Sequence, residues 1–70
     1  MGARIMTARK AEAILKKNGW RLVRVKGSHH QYKKDGNAQL ASICVHKGKA
    51  LSPGVIRHLY EVTGLDEFVV

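Results

Sequence analysis

The sequence predicts an α+β fold, with two amphipathic helices packed on one face of a three-stranded antiparallel sheet. Three observations carry that expectation. Ala8, Ala11, Ile14 and Leu15 recur every three or four positions, the spacing of a helical stripe. Three runs rich in β-branched, aromatic or alternating residues, at 20–26, 29–34 and 40–45, are separated by the turn signals Gly27-Ser28 and Asp35-Gly36-Asn37. Ser52-Pro53 then reads as an N-cap followed by proline at the first helical position.

The first helix is expected from Thr7 to Asn18, with Thr7 as N-cap and Lys16 and Lys17 at the negative end of the helix dipole. Asn18-Gly19 supplies the left-handed residue that ends it. Trp20 to Lys26 is the first strand. Its apolar phase switches between Leu22 and Val23, the mark of a bulge or of a strand apolar on both faces. In the second strand, His29 to Lys34, alternation sends His29, Gln31 and Lys33 to one face and His30, Tyr32 and Lys34 to the other. Tyr32 is the evident core residue, so His30 leans inward and His29 projects outward. Leu40 to Val45 forms the third strand, with Ala41, Ile43 and Val45 on one parity, and His46 to Lys49 is a basic loop. The second helix runs from Pro53 to Thr63, burying Val55, Ile56, Leu59 and Val62, and stops at Gly64. Leu65 to Val70 is an apolar-acidic tail that docks on the body or on a partner.

Residues 1–70 are read as one domain, with 1–6 a short N-terminal extension that carries no function. A chain of 70 residues supports one modest core. Both helices must share a single sheet face, which leaves the other face open. Charge marks that open surface. The net charge is +8, and the first 49 residues hold 12 cations against Glu12 and Asp35, whereas the last 21 hold only Arg57 against Glu61, Asp66 and Glu67. Such a balance is the electrostatic footprint of a nucleic-acid partner. Gly27-Ser28-His29-His30-Gln31-Tyr32 lies within it, flanked by Arg21, Arg24, Lys26, Lys33 and Lys34. An imidazole titrates near neutrality, so this stretch places proton-transfer chemistry inside a cationic surface. Cys44, the one cysteine, has no partner for an intramolecular disulfide, which fits a reducing, cytoplasmic setting. No apolar run approaches the roughly 18 residues a membrane helix needs.

From Lys10 to Leu65 the sequence resembles the HicA toxin family, the ribonuclease half of the HicA/HicB toxin-antitoxin modules. The resemblance rests on Lys17-Asn18-Gly19-Trp20, on Val23-Arg24-Val25-Lys26-Gly27-Ser28-His29-His30-Gln31-Tyr32, on a strand ending at His46, and on a closing helix ending Thr63-Gly64-Leu65. It implies a double-stranded-RNA-binding-like α-β-β-β-α fold, metal-independent cleavage of mRNA, and neutralisation by a HicB-type antitoxin. It places the catalytic histidine directly after Gly-Ser, at His29, and it implies no cofactor and no metal. Family members often carry proline beside the histidine that ends the third strand, whereas this chain has Val45-His46-Lys47-Gly48.

His29 is accordingly expected to act as general base on a ribose 2′-hydroxyl or as general acid on the leaving 5′-oxygen. The second proton transfer is left to His46, Lys26 or water. Arg24, Lys26, Lys33, Lys47 and Lys49 are the phosphate-contact candidates because they bracket His29, and Ser28 joins them from the turn. His30 is read as structural and His58 as a partly exposed helix residue. A metal site is disfavoured because His29 and His30 point opposite ways with no carboxylate or cysteine at ligand spacing. Cys44 is read as packing, Tyr32 as core more than a stacking platform, and Trp20 is left open. The alternative function is a non-catalytic RNA-binding module on the same fold, which would tolerate loss of His29. An adaptor for an acidic protein ranks last.

Overall fold

The computed structural model describes residues 6–46 and 49–69. Its elements run α1 (Ala8–Lys17), β1 (Arg21–Lys26), β2 (His29–Lys33), β3 (Ala41–Cys44) and α2 (Pro53–Thr63), closed by a 3₁₀ turn at Asp66–Phe68. The strands form one antiparallel sheet in the order β1-β2-β3. The α-β-β-β-α architecture of the double-stranded-RNA-binding type is therefore the observed one.

Local chemistry accounts for the element ends. The Thr7 hydroxyl accepts the Lys10 amide at 3.2 Å and caps α1. At the other end Trp20 N–H bonds the Leu15 carbonyl (2.9 Å) and Gly19 N–H the Lys16 carbonyl (3.2 Å), with Gly19 at φ 90°. That pair of bonds needs a left-handed residue and folds the following side chain back onto the helix. Trp20, expected in the first strand, is instead buried in the core with Leu15, and β1 begins one residue later. In α2 the Ser52 hydroxyl accepts the Val55 amide, as its Ser-Pro start predicts.

Tyr32, Ala41 and Ile43 share the covered face of the sheet and pack with Ala11, Leu15, Ile56 and Leu59. Val55 and Val62, expected to be buried, are half-buried at the margin of this core. Leu40 and Val45 fall just outside β3, although the Val45 amide still bonds the Ser28 carbonyl at 2.6 Å. The register slips between Leu22 and Arg24, so Val23 is the bulged residue at the expected phase switch. The tail docks on the body: Phe68 is buried, and Glu67 meets Lys17 at 3.1 Å. Val70 lies outside the described residues. No helix of the described residues is long and apolar enough to cross a membrane.

The helices do not cover the sheet evenly. They gather over β2 and β3, and the His58 ring of α2 reaches the Ser42 amide of β3 at 3.2 Å. β1 is left as an exposed edge, with Leu22, Val23 and Val25 between 43% and 54% exposed.

One polar contact pins β2 against α1. Glu12 Oε2 accepts the Tyr32 hydroxyl at 2.5 Å and meets His30 Nδ1 at 2.9 Å. Burial would raise the Glu12 carboxyl, but the Tyr32 and His30 hydrogen bonds, with the charges of His30 and Lys16, hold it below its ordinary 4.5. Burial and the same carboxylate push the Tyr32 phenol well above its ordinary value. A carboxyl lowered on folding contributes stability that is complete above its unfolded value, here about pH 4.5, and is lost as pH falls through the folded one. Glu12→Ala strands two partly buried partners and is expected to cost about 1–3 kcal/mol at neutral pH. It should also flatten the loss of stability below pH 4.5. Urea melts of both proteins at neutral pH and at about pH 3 measure both effects, and unchanged stability would remove the pin.

Candidate nucleic-acid site

Strand pairing decides which side chains share the uncovered face. Lys26 lies opposite His29 and His29 opposite Cys44; the next row is Arg24, Gln31 and Ser42, and the last is Arg21 with Lys33. Cross-strand partners project to the same side. The face therefore carries four cations around one imidazole, and none of these rows holds a carboxylate. Arg21 is partly neutralised by Asp35 at 3.2 Å, whereas Arg24, Lys26 and Lys33 have no acidic partner among the described residues. A field of one sign with unpaired cations attracts a polyanion and makes its binding depend on salt.

The face ends in a cleft. Where β3 meets the first turns of α2, His29, Ser42, Cys44, Gly54 and His58 line a broad, open depression of about 470 Å³. His29 stands exposed at its mouth, and its ring has no hydrogen-bond partner among the described residues. Both ring nitrogens are thus open to a ligand, as a group that exchanges protons with substrate requires. A separate hollow between Pro53, Arg57, Tyr60 and Phe68 holds no imidazole.

The remaining sequence candidates fall into three groups. Ser28 is half-buried in the β1-β2 turn, its Oγ 3.8 Å from Cys44 Sγ. His46 sits with its Nε2 3.0 Å from the same sulfur, and together with Lys49 it lines a neighbouring hollow on the other side of Cys44. Lys47 lies outside the described residues. His30 faces Glu12 on the covered side, away from His29, as the alternation predicts. Tyr32 and Trp20 are buried, so neither offers a stacking surface, and no Phe, Tyr or Trp stands in the three rows.

His58 is the residue that sequence reasoning passed over. It lines the cleft with His29, and its Nε2 accepts the outward-pointing Ser42 amide at 3.2 Å. The available signal was helical spacing: Val55, His58 and Val62 form a stripe beside the buried Ile56 and Leu59.

Residues 8–65 match the family model of the HicA toxin of bacterial toxin-antitoxin systems. No curated protein matches the chain significantly.

The Ser42 amide on the free edge of β3 has only the His58 ring to shield it, whereas the Val45 amide is held within the hairpin by Ser28. In His58→Ala, Ser42 should exchange its amide proton about tenfold faster while Val45 keeps its protection, because one hydrogen bond is lost without general opening. Amide exchange followed by NMR reads both sites, and unchanged protection at Ser42 would remove the contact.

Proposed function

Because the chain belongs to the HicA toxin family of bacterial toxin-antitoxin systems, we propose that it is a metal-independent endoribonuclease that cuts mRNA through His29. The observation that carries this reading is an unpartnered imidazole set among cations at the mouth of a cleft. RNA carries its own nucleophile. His29 takes the proton of a ribose 2′-hydroxyl, and O2′ attacks the adjacent phosphorus as the bond from phosphorus to the 5′-oxygen breaks. The leaving 5′-oxygen gains a proton, and the products are a 2′,3′-cyclic phosphate and a 5′-hydroxyl. Lys26, opposite His29 on β1, and His46, whose Nε2 lies 3.0 Å from the sulfur of Cys44 opposite His29 on β3, are the two groups that could make the second proton transfer.

Arg24, Lys26 and Lys33 hold the phosphates on the open face, with Ser28 at its end and Lys49 just beyond; Lys47 belongs to the same basic loop. Their contacts fix the backbone and read no sequence. With no Phe, Tyr or Trp in these rows, base stacking there is limited to the His29 ring and the arginine planes. A HicB-type antitoxin neutralises the enzyme by covering His29 and setting acidic groups against the cations.

Purified protein incubated with end-labelled RNA in EDTA tests the reading. The parent should cut and leave cyclic phosphate ends, while His29→Ala, equally folded by circular dichroism, should lose about 10²- to 10⁴-fold in rate. If neither protein cuts but both bind RNA in a salt-dependent way, the chain is an RNA-binding module.

The cleft itself gives a second test. Gly54 adopts no left-handed conformation, and an added Cβ would meet only the Ser52 hydroxyl at 4.0 Å. Gly54→Leu should therefore stabilise α2 by up to about 1 kcal/mol, yet fill the cleft and slow cleavage by at least roughly tenfold. A thermal melt and the same cleavage assay separate the two effects, and a variant that cuts as fast as the parent would move the reaction out of the cleft.

A further inference from the structure

Four groups outside the catalytic assignment were candidates for further chemistry: the Cys44–His46 pair, the exposed β1 edge, the apolar hollow beside Tyr60, and His58. Only His58 combines a defined protonation pattern with a place in the cleft. We infer that His58 is a second substrate-binding group, a neutral imidazole whose Nδ1–H donates to a non-bridging oxygen of the phosphate undergoing attack. The inference rests on the endoribonuclease reading and adds to it a division of labour between two histidines.

The Ser42 amide fixes the tautomer of His58. A backbone N–H can only donate, so the ring nitrogen it meets, His58 Nε2, must present a lone pair. In a neutral imidazole the proton then sits on Nδ1. A hydrogen on Nε2 would set two donors face to face. The Nδ1–H has no partner among the described residues, and no buried side-chain nitrogen or oxygen among them lacks one. The free Nδ1 is therefore an atom that solvent or a ligand can reach. His58 is half-buried and lines the cleft that His29 also lines, so a phosphate drawn in from the cationic face meets both rings.

That arrangement suits a donor and not a base. The only lone pair of the neutral ring is committed to Ser42, so His58 cannot take the 2′-hydroxyl proton. His29, with no protein partner, can. As O2′ adds to phosphorus, negative charge grows on the non-bridging oxygens, and a donor fixed beforehand stabilises that charge without reorganising. The Ser42 bond supplies the fixation, holding the ring on α2 against the edge of β3. The proton leaving O2′ passes to His29, while His58 keeps its own throughout.

Two measurements on the full chain decide the matter. Long-range ¹H–¹⁵N NMR of the parent identifies the His58 tautomer and follows Nδ1 as a 2′-O-methyl oligoribonucleotide, which lacks the attacking hydroxyl, is added. The proton is expected on Nδ1, with a saturable shift of that nitrogen. In cleavage assays His58→Gln keeps an acceptor for the Ser42 amide, while its N–H₂ donor sits on the terminal carbon and not at the place of the ring's Nδ1. It should melt like the parent and lose about 10²-fold in kcat with KM little changed.

A proton on Nε2, an Nδ1 that does not respond at saturating oligonucleotide, or His58→Gln cutting at the parental rate would each overturn the inference. The last result, with His29→Ala inactive, would leave the endoribonuclease reading intact and make His58 only a support for β3. A parent that cuts no RNA while its Nδ1 still shifts would refute the endoribonuclease reading and keep His58 as a phosphate donor.

Discussion

Adjacent residues of a β-strand face opposite ways, and the whole molecule turns on how β2 is phased by that rule. Tyr32 and His30 point inward and His29, Gln31 and Lys33 point outward, so one five-residue strand supplies both the centre of the core and the centre of the open face. A slip of one residue would bury His29 and expel Tyr32. Tyr32 burial and the Glu12 carboxylate hold the phase from the covered side. Nothing on the open side needs to hold it. The residues there are free to serve a ligand, and His29 spends no hydrogen bond on the fold.

The second constraint is where the helices sit. Because α2 lies against β3, its first turns rise beside the open face and turn the end of that face into a cleft. A flat cationic sheet would bind a polyanion along its length but would not distinguish one phosphate from the next. The cleft brings two imidazoles, His29 and His58, to one place on that face. The same displacement leaves β1 uncovered, its exposed apolar residues interleaved with Arg21, Arg24 and Lys26. Those charges and the bulge at Val23 protect an edge that would otherwise invite another strand.

What the sequence revealed follows from the range of the interactions involved. Caps, turn residues and strand alternation act over a few positions, so the element order, Thr7, Ser52, the Val23 bulge and the opposed histidines were legible. So was the placement of His29 and Lys33 on one face, since alternation fixes it, whereas Arg24 and Lys26 join them only through the register of β1 past its bulge. Trp20 was misplaced by one element because its aromatic ring has strand character, while the Gly19 turn carries it back to Leu15. The tail was expected to dock on the body or on a partner, and the burial of Phe68 decides for the body. His58 stayed hidden because its partner lies 16 residues away on another element, and no periodicity reports that distance. Lys26 and His46 were alternatives as proton donors, and the pairing sets them on opposite sides of His29, Lys26 directly across on β1 and His46 by way of Cys44 on β3.

The account makes one face of the sheet, and one end of that face, the place where RNA is cut. A crystal structure with a 2′-O-methyl oligoribonucleotide, which keeps O2′ but cannot react, tests this most directly. The account predicts the sugar-phosphate backbone along Arg24, Lys26 and Lys33, with one phosphate in the cleft and its 2′ position about 3 Å from the His29 ring. A backbone lying across α1 and α2, or along the β1 edge with the cleft empty, would contradict it.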